Sequence, residues 1–126
     1  MNAIKNLSEA VMVYTAEADD KYPEATHWMD LTLPMAKTKD AYRSPYINGA
    51  DNEFGYAFRR SLSRRKENDV DDLEHTALVF DSTDLRWDSS GGLELLPREG
   101  RNRGRNGVLF ADGHANWVRV GYPGVK

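Results

Sequence analysis

With 126 residues, 40% of them apolar and 29% charged, and a formal net charge of −3, the chain has the size and make-up of one globular domain spanning residues 1–126. The absence of cysteine excludes a disulfide framework, a thiolate zinc centre and a cysteine nucleophile. The slight negative charge excludes a surface that is a nucleic-acid footprint throughout, and no run reaches the roughly 18 to 20 apolar residues that span a bilayer.

Ile4, Leu7, Val11 and Tyr14 recur at three- and four-residue steps, with Lys5, Ser8, Glu9 and Thr15 off that stripe. This spacing predicts an amphipathic helix over about residues 3–19, widened by Ala10 and Val13 to the breadth needed to lie on a sheet. The stretch Asp19-Asp20-Lys21-Tyr22-Pro23 is expected to end it, because the residue before a proline is pushed away from the helical region. A short second helix is expected over Trp28–Lys37, limited to a turn or two by Pro34. From Lys39 to Phe54, turn-forming residues dominate and predict an ordered loop.

Gly55–Leu62 alternates Tyr56 and Phe58 with Ala57 and Arg59, as in a strand with one aromatic face. Thr76–Phe80 is apolar and rich in strand formers, which suits a central strand. Ser89–Gly92 reads as a flexible loop, and Leu93–Pro97 as a short edge strand closed by its proline. Val108–Val118 holds two strand-like runs around Asp112-Gly113. A two-residue type I′ turn there would set Phe110 against Ala115 and Val108 against Trp117. The expected fold is α+β, one N-terminal helix covering a small antiparallel sheet, with loops filling the remainder.

Side chains that could carry chemistry are scattered. His27, His75 and His114 have no helical pairing, so a zinc site has little support, and His114 reads as a surface residue of the hairpin. Asp81, Asp84 and Asp88 crowd one stretch, and Asp112 would approach them if their strands were neighbours. Such loops can offer calcium its hard oxygens, and the same residues serve as turn formers and caps. Ser89-Ser90-Gly91-Gly92 lacks the spacing of a nucleophile elbow or a phosphate loop. Asp71, Asp72 and Glu74 give no sign of converging on a pocket.

Two basic stretches stand out. Arg59, Arg60, Arg64, Arg65 and Lys66 form one; Arg101, Arg103 and Arg105 belong to an Arg-Gly run that could track phosphates, although acidic neighbours dilute both. Trp28, Trp87, Tyr42, Tyr46 and Tyr56 lie in or near polar stretches, where they are either a sugar-stacking platform or rings tucked over a small sheet.

The order Asn6-Leu7, Ala10-Val11, Tyr14, Tyr22-Pro23 resembles the region that follows the membrane helix in pseudopilins. Asn106–Val118 resembles the C-terminal signature of prepilin-type proteins, with Phe110, Asp112, Gly113, His114 and Trp117 at matching positions. Tyr42-Arg43-Ser44-Pro45, Gly55-Tyr56 and Leu78–Asp81 also resemble family segments, so the likeness extends over nearly the whole chain. Two residues depart from the pattern: Asn102 stands where the signature has histidine, and Ser44 where it has cysteine.

The resemblance implies a non-enzymatic subunit of a type II secretion or type IV pilus-like assembly. Its leader and apolar helical half would precede Met1, making this chain the soluble head of an extracytoplasmic protein anchored in the inner membrane, at the periplasm or cell surface. Its partners would be other pilin or pseudopilin subunits. Calcium is a possible ligand by the same likeness, since major pseudopilins carry it in C-terminal loops. The alternative is an extracellular head that binds carbohydrate or DNA.

Overall fold

The computed structural model describes residues 2–126. It is a mixed α+β fold with an N-terminal helix and a five-stranded sheet. Helix α1 runs Asn2–Glu17 and buries Ile4, Leu7, Ala10 and Val11. Ser8 and Thr15, expected off the stripe, are buried with them, whereas Val13 is 47% exposed and Tyr14 half-buried. The hydroxyls explain the difference: Thr15 Oγ1 donates to Val11 O at 2.8 Å, and Ser8 Oγ donates across to Gly113 O at 2.9 Å. Satisfied hydroxyls bury without the penalty of an unmade hydrogen bond.

Helix α1 ends as the stretch from Asp19 begins, but through its aspartates rather than Pro23. Asp19 and Asp20 adopt φ values of 57° and 62°, and Asp20 N–H reaches back to Thr15 O at 2.9 Å, a left-handed cap well before the proline. Helix α2 covers Trp28–Ala36, keeps Pro34 in its last turn and ends at left-handed Lys37, whose N–H bonds Leu33 O at 2.7 Å. It packs beside α1, so two helices, not one, cover this face of the sheet. Within the expected loop, Lys39–Tyr42 forms a 3-10 turn that buries Tyr42.

The strands are β1 Tyr56–Arg59, β2 Ala77–Asp81, β3 Ser90–Gly91, β4 Arg105–Phe110 and β5 Ala115–Arg119, ordered β3-β1-β2-β4-β5. The expected central strand is central, and all five of its residues are buried. β1 is shorter than the Gly55–Leu62 expected, because Arg60–Leu62 turns into a 3-10 segment. Its two faces are both covered, Ala57 as well as Tyr56 and Phe58. One correction concerns the edge. Leu93–Leu95 is a 3-10 turn, and the edge strand is the Ser90–Gly91 stretch, which pairs parallel to β1. A Cβ on Gly91 would lie 2.7 Å from Leu95 Cδ1, so glycine lets this edge pass under the turn.

The β4–β5 hairpin forms with a different turn from the one expected. Phe110 O accepts Gly113 N–H at 2.9 Å, and Phe110 N–H bonds His114 O at 2.8 Å. Of the three loop residues Ala111, Asp112 and Gly113, only the glycine has positive φ, at 97°. This is the three-residue class of hairpin loop. The register moves by one: Leu109 faces Ala115 and Gly107 faces Trp117. Phe110 and Trp117 therefore point to opposite faces.

Two packed layers result. Leu7, Val11, Tyr22, Trp28, Phe58, Leu78 and Leu109 fill the space between helices and sheet. On the far side, Ala57, Ala77, Phe80, Val108 and Phe110 are covered by Leu93, Leu95, Leu96, Val118 and Val125.

Candidate functional site

Four residues singled out in the sequence, Leu7, Tyr22, Pro23 and Gly113, lie where α1 crosses the hairpin tip. Leu7 is fully buried, Ser8 bonds Gly113 O, and Tyr22 Oη donates to Ala111 O at 2.8 Å. Burial, with Glu67 and Asp112 nearby, holds the Tyr22 phenol well above its ordinary range, so it stays a donor. Pro23 is buried beside it, and its carbonyl accepts Arg64 N–H at 3.4 Å. Gly113 lies against Met12; a Cβ there would sit 3.4 Å from Met12 Cγ. Phe110 belongs to the opposite layer. Trp117 is half-buried, edge-on to Tyr46 at 5.3 Å. Asn6 is apart from this junction, on the exposed side of α1. There Asn6, Glu9 and Val13 line a shallow groove of about 600 Å³ against Pro34, Lys37 and Asp40.

The carboxylates do not converge. Asp81 is buried, and its Oδ2 accepts the Gly107 N–H at 2.6 Å, tying β2 to β4. Desolvation pushes its carboxyl up to about 6, against the opposing pull of Gly107 and Arg101. Asp84 is held by Arg86 at 2.8 Å and lies near 2, Arg86 being the main cause. Asp88 Oδ1 accepts the N–H groups of Met29 and Asp30 at 2.7 and 3.2 Å, and so caps α2 from sixty residues away in sequence. Burial, then the neighbouring Asp30, raise it to about 6. Asp112 accepts His114 N–H at 3.1 Å inside its own turn. Among the described residues, no group of three or more His, Asp or Glu could hold a metal ion. Asp81, Asp84 and Asp112 are thus divided among separate tasks.

The arginine run is also divided. Arg101 turns inward, with one guanidinium nitrogen donating to Ser82 O and another buried without a partner among the described residues. Asn102 and Arg105 exchange backbone hydrogen bonds at 3.0 Å each way around Arg103-Gly104, whose φ values are 54° and 78°. The two consecutive positive φ values of a type I′ turn therefore occur here, not at Asp112-Gly113. Arg103 is at that tip and Arg105 within β4, so the three side chains do not form one phosphate track.

Three of the five aromatics considered for sugar stacking are buried: Trp28, Tyr42 and Tyr56. Trp28 Nε1 donates to Ser89 O at 2.8 Å, and Trp87 packs edge-on against Tyr42 and Phe54 at 5.1 and 5.0 Å. Trp28, Tyr42 and Tyr56 are core rings with half-buried Trp87 packed against the same core, whereas Tyr46 stays 44% exposed.

A pattern that sequence reasoning missed lies on the far face of the sheet. His75 Nδ1 is 3.0 Å from Asp72, and His114 Nδ1 is 2.5 Å from Asp112. Both histidines line one groove of about 340 Å³ with Glu74, Phe110, Asn116 and Tyr122. The separation of residues 74–75 from 114–122 hid this, and only the pairing of β2 with β4 brings them together.

Neither a protein-family model nor a curated protein nor a solved structure matches this chain.

Proposed function

We propose that this chain is the head of a type IV pilin-like or pseudopilin subunit, acting in a secretion or pilus-like filament through packing with neighbouring subunits rather than through bond chemistry. The observation that carries the reading is the junction of α1 with the hairpin tip. Leu7, Tyr22 and Gly113 come from the two segments that resemble the family, and they meet through the Ser8–Gly113 and Tyr22–Ala111 hydrogen bonds. A helix so fixed on its sheet is a rigid body, and a rigid body can transmit the register of a filament. The exposed side of α1, with Asn6, Glu9 and Val13, is the surface left for a neighbour.

The whole reading frame, expressed in its native host, tests this. The protein is expected in the inner membrane before assembly and in the sheared-filament or secretion-complex fraction after it. Recovery from the cytoplasm alone, with no apolar helix processed behind a short basic leader, overturns the reading.

A further inference from the structure

We infer that the groove on the far face of the sheet is a binding site for a neutral saccharide. Two aromatic rings flank it. The His114 imidazole stacks on Phe110 at 4.5 Å with the planes 9° apart, and its Nδ1 is fixed by Asp112. The Tyr122 ring lies over Gly124, where an added Cβ would collide with its Cε2, and the residue is 58% exposed. Both rings present flat apolar faces, which suit the C–H faces of a sugar.

The rim supplies the other half of such recognition. Glu74, Asn116 and Arg119 line the groove, and so does His75, whose Nδ1 is taken by Asp72. Among the described residues, the Glu74 carboxylate and the two histidine Nε2 atoms make no hydrogen bond to protein, and all three residues line the one groove. The Glu74 carboxylate disfavours a phosphate, and carboxylate, amide and imidazole groups together suit the hydroxyls of a neutral polyhydroxylated ligand. The volume of about 340 Å³ falls at the small end of ligand sites.

This inference does not depend on the pilin reading, and its failure leaves that reading untouched. The test is amide NMR of the 126-residue chain titrated separately with cellobiose, lactose and diacetylchitobiose. At least one should give saturable shifts concentrated at Glu74, His75, His114, Asn116 and Tyr122. Tyr122→Ala should weaken that binding by about tenfold, the effect of one ring contact. Gly124→Ala, which moves the ring without removing it, should weaken it as well, with the spectrum elsewhere unchanged. The proposal is overturned if none of the three sugars shifts those amides. Equal binding by Tyr122→Ala overturns it too, as does a response of the groove to zinc chloride or sodium phosphate alone.

Discussion

At the scale of single residues, buried Asp81 and half-buried Asp88 make stability depend on pH. Asp81 titrates near 6 in the folded protein, about two units above an unfolded aspartate, because burial disfavours its charge. Its contribution is fully present below about pH 4 and is lost as pH rises through about 6. Asp88, also near 6, acts in the same direction. Asp84 acts oppositely: its stabilisation is present above about pH 4 and is lost as pH falls toward 2. Urea unfolding should therefore show higher stability at about pH 5 than at pH 7.5, by roughly 1 to 3 kcal/mol. Asp81→Asn keeps an acceptor for Gly107 N–H and should flatten that slope. An unchanged slope in the variant would assign the dependence elsewhere. Asp88 allows a second test, because its φ of 59° and its capping oxygen both suit asparagine. Asp88→Asn should be nearly neutral at pH 7, and Asp88→Ala should lower stability by about 1 to 2 kcal/mol through the lost cap and the left-handed backbone. Equal loss in both variants would deny the capping role.

At the scale of elements, the hairpin separates what a pattern of residues can specify from what it leaves open. If Gly113 alone needs positive φ, Gly113→Ala should cost about 1 to 2 kcal/mol in chemical denaturation, and Asp112→Ala clearly less. A type I′ turn would make both positions sensitive. Asp112-Gly113 announced a reversal, and the reversal is there; the three-residue loop sets the register that puts Trp117 opposite Gly107. It fits over Gly107, its Cζ3 3.8 Å from where a Cβ would be. That is a contact of the folded sheet, invisible to local spacing. The same limit explains α1. Its apolar period was legible from Ile4, Leu7 and Val11, but the burial of Ser8 required a partner at Gly113, more than a hundred residues away. Ser90–Gly91 had no strand signal, since two residues beside glycine carry no period, and only its pairing with β1 makes it an edge. The carboxylates of Asp81, Asp84 and Asp112 shared a chemistry in the sequence, and the fold gave each a different backbone or side-chain partner.

At the scale of the whole molecule, stability draws on one side of α1 and the proposed assembly surface is the other, so substitutions should separate them. Leu7 is fully buried between α1 and the sheet, and Leu7→Ala should lower stability by about 2 to 5 kcal/mol, a large part of what a domain possesses. Val13 is 47% exposed beside Asn6 and Glu9 and makes no comparable core contact. Val13→Lys should therefore leave the unfolding midpoint within about 0.5 kcal/mol of the parent, as ordinary surface changes do. If the exposed side of α1 receives a neighbouring subunit, the added charge would be desolvated at that contact without a partner, and incorporation into the filament or secretion complex should fall sharply. Co-sedimentation of the variant, expressed from the whole reading frame, with assembled material, set beside the unfolding curve of the 126-residue chain, measures both quantities. Normal incorporation of Val13→Lys would remove this face from the assembly surface and leave the hairpin side as the place where subunits meet.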